Sequence, residues 1–327
     1  MASLLIPNEK NAEVGSPPVR LTNLGKIFWE NLGITKRHLL QYYADVSPWL
    51  LPHLADRAMV MKRYPNGANG EFFYMKRIPI PHPDWIETCT IDHGNGNIID
   101  FPIIQDLSSL LWVINLGCID LNPWYSRCED INRPDFLHFD LDPGPGASFA
   151  HVREIALHLH DALDTLGMPS YAKTTGSRGI HIYIPIERGP LQKEVWTFAK
   201  ALAQQMESMY PDIATAEYRK AKRPHGTVNV DYNQNRWGST LASIYSVRPT
   251  ERAAVSTPVT WDEVDNGVEL EDFRIDNVVE RLEEVGDLWK PVLGKKRVDL
   301  GTFLPQKKTA TERPSKRAAP SSKKSST

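Results

Sequence analysis

The clearest alternation of apolar and polar positions runs from Asp135 to Gly146, D-F-L-H-F-D-L-D-P-G-P-G. Leu137, Phe139 and Leu141 fall on one face of a strand, and His138, Asp140 and Asp142 on the other. Pro143-Gly144-Pro145-Gly146 ends that strand sharply. The same period of two recurs over Gly179–Ile186, where four isoleucines oppose His181 and Tyr183, and over Val228–Tyr232, where Val228, Val230 and Tyr232 oppose Asn229 and Asp231. A further strand is predicted over Thr240–Val247. Between these lie helical periods. Ser148–Leu166 carries Val152, Ile155, Leu159, Leu163 and Leu166 as a buried stripe closed by Gly167. Lys193–Tyr210 carries Val195, Phe198, Leu202, Met206 and Met209 inward, and Asp276–Gly286 is a last amphipathic helix. Upstream, Thr35 reads as the N-cap of a helix through Leu39, Tyr42, Tyr43 and Val46, which Pro48 and Pro52 break or kink. Strands follow at Val60–Arg63 and Glu71–Arg77 around the turn Pro65-Asn66-Gly67, then a hairpin of Trp85–Asp92 and Asn97–Phe101 across Gly94-Asn95-Gly96. Asp106–Gly117 is a helix and Cys118–Leu121 a short strand. These elements predict an α+β fold: two β-sheets with flanking helices around one central cleft.

Composition sharpens the boundaries. Residues 1–20 are polar and Pro-containing and read as a flexible arm, 21–294 as one catalytic domain, and 295–327 as a basic, disordered tail. The formal net charge of −2 hides a gradient: from Thr302 onward seven Lys/Arg face one acid, so the tail is +6 and residues 1–301 carry −8. Any nucleic-acid affinity of the body therefore rests on local basic patches, while the tail can add sequence-blind attraction to DNA. Three cysteines, Cys89, Cys118 and Cys128, are odd in number and widely spaced. They suggest neither a disulfide framework nor a zinc site, and hence a reduced, cytoplasmic setting. No apolar run is long enough for a membrane span.

The acids carry the first chemical signal. Asp140 and Asp142 lie roughly 6.6 Å apart along their strand, at about 3.3 Å per residue, so their carboxylates can converge. Asp231 repeats their setting. Three acids on exposed strand faces suit two Mg²⁺ or Mn²⁺ ions in phosphoryl transfer, and they also fit strands whose solvent faces happen to carry acids. The loop Thr174–His181, T-T-G-S-R-G-I-H, places two glycines beside donors from Ser177 and Arg178 and leads to His181. It suits a triphosphate as an anion cradle, and equally a polar turn. Lys222, Arg223 and Arg248 add cations near the third acid in sequence.

Taken in order, D-L-D, T-G-S-R-G-I-H, V-D-Y-N-Q-N and S-V-R-P resemble the polymerase domain of bacterial ligase D, within the archaeo-eukaryotic primase superfamily. Thr22–Lys26, Lys62–Gly67, Phe72-Phe73, Pro83–Ile86 and Asn115–Arg127 extend the likeness over roughly residues 20–290. The resemblance implies a metal-dependent nucleotidyltransferase of double-strand-break repair. It adds ribo- or deoxyribonucleotides (NTP or dNTP) to 3′ ends at gapped or broken DNA, with Mn²⁺ or Mg²⁺ as two ions. Residue by residue, it implies Asp140, Asp142 and Asp231 as catalytic metal ligands. Thr175, Ser177, Arg178, His181, Lys222, Arg223 and Arg248 would bind the incoming nucleotide. Asn23, Lys26 and Lys36 would bind a 5′-phosphate on the downstream DNA strand, and Arg63, Phe72 and Phe73 the template.

Three departures stand out. Asn122 lies near where some members carry a His. Arg178 stands where others have Lys, which keeps charge and changes geometry. Ligase and phosphoesterase parts are not in the sequence, so a stand-alone polymerase is expected, with a separate DNA ligase and a Ku homologue as partners. Primer-independent chain initiation and a non-catalytic DNA-end-binding module are the competing readings.

Overall fold

The computed structural model describes residues 5–94 and 96–304. Its largest sheet has six strands in the order Ala214–Thr215, Val228–Asp231, Phe136–Pro143, Ile180–Pro185, Tyr171–Thr174, Pro258–Val259. All neighbours are antiparallel except the first pair. The Asp135–Gly146 alternation thus forms a central strand. Leu137, Phe139 and Leu141 are fully buried, as are their partners Ile184, Ile182 and Ile180. They join one core with Val152, Ile155, Leu159 and Leu163 of the helix Phe149–Thr165 and with Val195, Leu202 and Met206 of the helix Gln192–Met209. Each such aliphatic side chain contributes about 1.5–3 kcal/mol on burial. The helices occupy the apolar face, which leaves the acid-bearing face free for the cleft.

A second lobe faces it. The helix Lys36–Leu54 packs on Leu107–Asn115, beside a three-stranded sheet ordered Phe73–Met75, Met59–Arg63, Cys118–Pro123 and a hairpin of Thr88–Asp92 with Ile98–Pro102. The lobes are tied at the root of the central strand. Arg57 donates both guanidinium nitrogens to Asp135 at 2.8 Å, with both side chains buried. Burial alone would push the Asp135 carboxyl up, but Arg57 and then Arg127 outweigh it and hold the group below the ordinary carboxylate range.

Several elements differ from the sequence expectation. Thr35 caps the first helix as expected, but Pro48 and Pro52 lie inside it without ending it. Leu166 and Met209 are exposed rather than inward, because each stands at the end of its helix, where the period continues and the covering surface does not. Thr240–Val247 is no strand. Tyr245 adopts a left-handed φ of 55°, which breaks extended pairing and leaves a single bridge, Val247 to Val255. Residues 5–20, read as an arm, form instead a two-stranded ribbon of Ala12–Val14 with Val19–Leu21 and bury Ile6, Val14 and Val19. The expected tail begins later than 295. Val298 bridges to Ile186, Arg297 donates to the Asp135 and Ile186 carbonyls, and Leu300 is buried. The basic remainder, 305–327, lies outside the described residues, as does Asn95 of the hairpin turn. Cys89 and Cys128, expected to be reduced, form a disulfide with Cα atoms 5.8 Å apart, while Cys118 is free and buried. Packing of the hairpin brings together two positions 39 residues apart in sequence, so the reduced setting inferred from cysteine spacing loses its basis. Among the described residues, no helix is long and apolar enough to cross a membrane.

Candidate active site

Strand register assembles the acids. Asp140 lies directly opposite Asp231 on one neighbouring strand and opposite His181 on the other, while Asp142 faces Asn229 two residues on. Opposite side chains in antiparallel pairs project to the same face about 4.5–5.5 Å apart. All three carboxyls are pushed up by burial. Asp140 rises to about 6 despite the opposing charges of Lys173, Arg248, Arg178 and Arg223, and Asp142 is raised further by Asp140 itself. Their side chains turn to different partners. Asp140 Oδ1 is 3.2 Å from His181 Nε2, Asp142 Oδ2 accepts from Arg178 Nη2 at 3.1 Å, and Asp231 Oδ1 accepts the Asn233 N–H at 2.7 Å. With the side chains so turned, no three His, Cys, Asp or Glu groups converge on a point that would hold a metal ion, among the described residues. The donor set nonetheless suits hard divalent cations: three desolvated carboxylates on one face, each now in contact with a cationic or polar nitrogen.

The loop at 175–179 is built tightly onto this face. Gly176 has φ +62°, and a Cβ there would lie 2.8 Å from Arg248 Cγ and from the Val255 carbonyl carbon. A Cβ on Gly179 would overlap the Leu141 carbonyl oxygen. Thr175 is buried, and its Oγ1 accepts the backbone N–H groups of Ser177, Arg178 and Gly179 at 3.0–3.1 Å. The loop's N–H groups, read from sequence as a cradle, are thus already held by Thr175. What it presents outward are the exposed side chains of Ser177 and Arg178. Arg248 donates from Nη1 to the Thr175 carbonyl at 2.8 Å, and its Nε lies 3.0 Å from Asp120. Arg223, held by the Glu217 carbonyl at 3.0 Å, acts electrostatically on both Asp140 and Asp231. Lys222 is exposed beside it.

Three participants escaped the sequence reading. Lys173, fully buried, pairs in register with His181 and bonds the Ala242 carbonyl, Ser256 Oγ and His181 Nδ1, the last at 2.8 Å. Ser256 Oγ spends its own hydrogen on the Thr174 carbonyl, so it accepts from Lys173. Asp120 is 1% exposed and lies between Arg248 and Lys62, the latter its register partner in the three-stranded sheet, 3.4 Å away. The available signals were a lysine of matching parity before the Gly loop and an acid inside the apolar run C-I-D-L.

The second lobe gathers the other predicted positions. Lys36 is 5% exposed and donates to the Thr22 carbonyl at 2.8 Å. Burial, then the charges of Lys26 and Arg63, lower its pKa to about 8. Lys26 bonds the Pro65 carbonyl, and Asn23, with φ 55°, turns the chain so that its carbonyl accepts the Lys26 N–H at 2.9 Å. Arg63 donates to the Leu116 carbonyl at 2.7 Å and lies over the Phe73 ring, while Lys62 sits 4.2 Å above the Phe72 ring. Phe72 and Phe73 are 50% and 43% exposed, a large apolar area left uncovered beside cations.

Comparison with known proteins gives a consistent result. The family described as "LigD, primase-polymerase domain" matches residues 35–289. The multifunctional non-homologous end joining protein LigD of Mycolicibacterium smegmatis is 34% identical over 276 residues, 84% of this chain and 36% of that protein. The bifunctional LigD of Bacillus subtilis is 32% identical over 271 residues, 83% of this chain and 43% of that protein. The chain therefore spans well under half the length of these relatives. The polymerase domain of Mycobacterium tuberculosis ligase D, solved in complex with DNA, superposes with a TM-score of 0.79 at 30% identity, covering 85% of this chain and 98% of that one. This chain belongs to the LigD primase-polymerase domain family.

Proposed function

We propose that this protein is a template-directed nucleotidyltransferase that adds nucleotides to 3′ ends at gaps or broken ends in end-joining repair. The observation that carries this reading is the register of Asp140 against Asp231, with Asp142 on the same face and Arg178, Arg223 and Arg248 around them. Asp140, Asp142 and Asp231 would hold two Mn²⁺ or Mg²⁺ ions, which when bound supply charge neutralisation at the attacking and leaving oxygens. The chain's own groups do the rest. Arg178 exchanges the Asp142 carboxylate for a phosphate of the incoming nucleotide, so one cation serves the resting and the loaded site. Arg248, fixed by Asp120 and the Thr175 carbonyl, and Arg223, fixed by Glu217, present preorganised charge to the same triphosphate. Ser177 adds a hydroxyl donor. With Lys173 Nζ as donor, His181 Nδ1 accepts, and Nε2–H points into the site.

DNA is the partner suggested by the neighbour solved in complex with it. Phe72 and Phe73 offer stacking faces that tolerate any base, and Arg63 stands behind them. Lys26 and Lys36, with Asn23, form a cationic corner for a 5′-phosphate on the downstream strand. A Ku homologue and a DNA-ligase activity would complete end joining. The test is nucleotide addition on a gapped duplex, with and without a primer strand, and with and without a chelator. Primer- and template-dependent extension that the chelator stops supports the reading. Extension without a primer would instead make the protein a chain-initiating primase, and DNA binding without any extension would make it an end-binding module.

A further inference from the structure

At the foot of the helix Gln192–Met209 lies an open cleft of about 310 Å³ lined by Gln192, Lys193, Trp196, Arg236 and Trp237. Its size is within the range of about 300–1,000 Å³ typical of small-ligand clefts. Both indoles are pinned. Trp237 donates to Asn132 Oδ1 at 3.2 Å and stands edge-on to Trp124 and His93, with centroids 5.1 and 5.0 Å away. Trp196 donates to Asn233 Oδ1 at 3.4 Å and packs on Tyr232. Trp237 remains 39% exposed, a costly area to leave in water. The cations are uncommitted. No ion pair among the described residues involves Arg236 or Lys193, and Arg236 lies over the rings of Trp196 and Tyr218 at 5.9 and 5.1 Å. Beneath them Gln192 is 4% exposed. Its Nε2 donates to the Arg236 carbonyl, while its Oε1 has no hydrogen-bond partner. A buried amide oxygen without a donor is expensive, so the cleft lacks one N–H that a ligand could bring.

We propose that this cleft takes one unpaired base of a single-stranded nucleic acid, stacked on the indoles with its phosphates against Arg236 and Lys193 and its amino or imino N–H toward Gln192. Rigid aromatic faces beside free cations are what sequence-tolerant strand binding needs. The site connects with the chemistry: Trp196 touches Tyr232 and Asn233, the two residues that follow Asp231. A 3′ overhang held here would be restrained close to where its end is extended. This extends the proposed function only in taking a nucleic-acid strand as ligand.

The test titrates the full chain with an eight-nucleotide oligothymidylate and follows tryptophan fluorescence, with thymidine monophosphate as a separate arm. Thymine brings the N–H that Gln192 lacks. Quenching by the oligonucleotide should saturate, and Lys193→Glu/Arg236→Glu should weaken it by about tenfold or more, the loss of one stacked and charge-anchored base. Trp237→Leu should do the same and remove most of the quench. The 305–327 tail is present in every arm, so its contribution cancels. Extension of a one-nucleotide gap, run alongside, reports the proposed function separately and should persist in the charge-reversal variant. Variants that bind the oligonucleotide like wild type while retaining extension overturn the inference. Equal binding of the mononucleotide overturns it as a strand site. A Trp237→Leu chain that melts early leaves the decision to the exposed Lys193 and Arg236 pair.

Discussion

The two lobes of the cleft treat charge in opposite ways. On the six-stranded sheet the acids face nitrogens, Asp142 the Arg178 guanidinium and Asp140 the His181 ring, and Arg248 reaches Asp120, which Lys62 of the facing lobe also touches. On the facing lobe Lys26, Lys36 and Arg63 are held by the carbonyls of Pro65, Thr22 and Leu116, and none has a carboxylate partner among the described residues. A carbonyl positions an ammonium without neutralising it, and the pKa of Lys36 is lowered first by burial and then by the charges of Lys26 and Arg63. The sheet is a site built to trade partners, with carboxylates for cations and arginines for phosphates. The lobe is a site with a deficit of negative charge. A metal–nucleotide complex, carrying both signs, fits the first, and a terminal phosphate the second.

Removing a central acid should separate the two most strongly. Asp140→Ala deletes the carboxylate that stands between Asp231 and His181, and nucleotide addition should fall on the order of 10³-fold, several kcal/mol of lost transition-state neutralisation. Binding of a 5′-phosphorylated gap, which rests on the other lobe, should change less than threefold. Extension rates within tenfold of wild type would remove Asp140 from the metal site. Lys26→Ala/Lys36→Ala is the reciprocal experiment. Wild type should bind and fill a gap bearing a 5′-phosphate better than one bearing a 5′-hydroxyl, by about 5–150-fold, or 1–3 kcal/mol for charged hydrogen bonds sheltered by a duplex end. The double variant should lose that preference while still adding nucleotides to a 5′-hydroxyl gap. A wild type blind to the phosphate would locate the 5′ end elsewhere.

Much of this contrast was legible in the sequence, and the illegible part has a common cause. Alternation alone put Asp140, Asp142 and Asp231 on acid faces, because each strand is flanked by aliphatic residues buried against helices. It could not supply register, and register is what sets Asp140 against both Asp231 and His181. The same gap hid Lys173, which becomes a neighbour of His181 only through the hairpin pairing, and Asp120, which looks like an interruption of a core strand until Arg248 arrives from 128 residues away. Thr175 was read as a nucleotide ligand, yet its oxygen collects three backbone N–H groups of its own loop, a local closure that composition cannot distinguish from ligand binding. The Cys89–Cys128 bond and the buried Ile6 likewise depend on contacts between segments with no shared period.

Lys173 sharpens the comparison because it is a buried amine on the sheet that bonds no acid, its pKa held well below the ordinary lysine range by burial and then by Arg248. When Lys173 Nζ donates to His181 Nδ1, the imidazole keeps its proton on Nε2, toward Asp140. Lys173→Met should free that tautomer choice and raise the nucleotide KM about tenfold, the cost of one unmade buried hydrogen bond, with a smaller effect on kcat. Lys173→Arg should restore part of it. Nitrogen chemical shifts of the His181 ring give the readout that packing alone would not move. An unchanged Nε2–H tautomer in Lys173→Met would reduce Lys173 to a filler of the core.

The smallest effect concerns pH and belongs to the lobe. Lys36 has its pKa lowered to about 8 by burial and by Lys26 and Arg63, so in the free protein it loses its proton as pH rises through that value. A 5′-phosphate binds the charged form and raises the pKa on binding. Between pH 8 and the bound value, binding must therefore take up a proton, and affinity falls as pH rises. On the acid side the phosphate's second ionisation, near a pKa of about 6, works the other way: below it the ligand carries less charge and affinity falls as pH drops. The preference for 5′-phosphate over 5′-hydroxyl should hence be flat from about pH 6.5 to 7.5 and decline by less than tenfold by about pH 9. The 5′-hydroxyl substrate, which engages no such charge, supplies the baseline against which general alkaline effects cancel. Lys36→Arg, whose guanidinium stays protonated throughout, should hold the preference level to high pH if the fork can reach the phosphate. A wild-type ratio that stays constant from pH 7 to 9 would mean that Lys36 keeps its proton, and that its contact with the Thr22 carbonyl offsets the burial and the neighbouring charges.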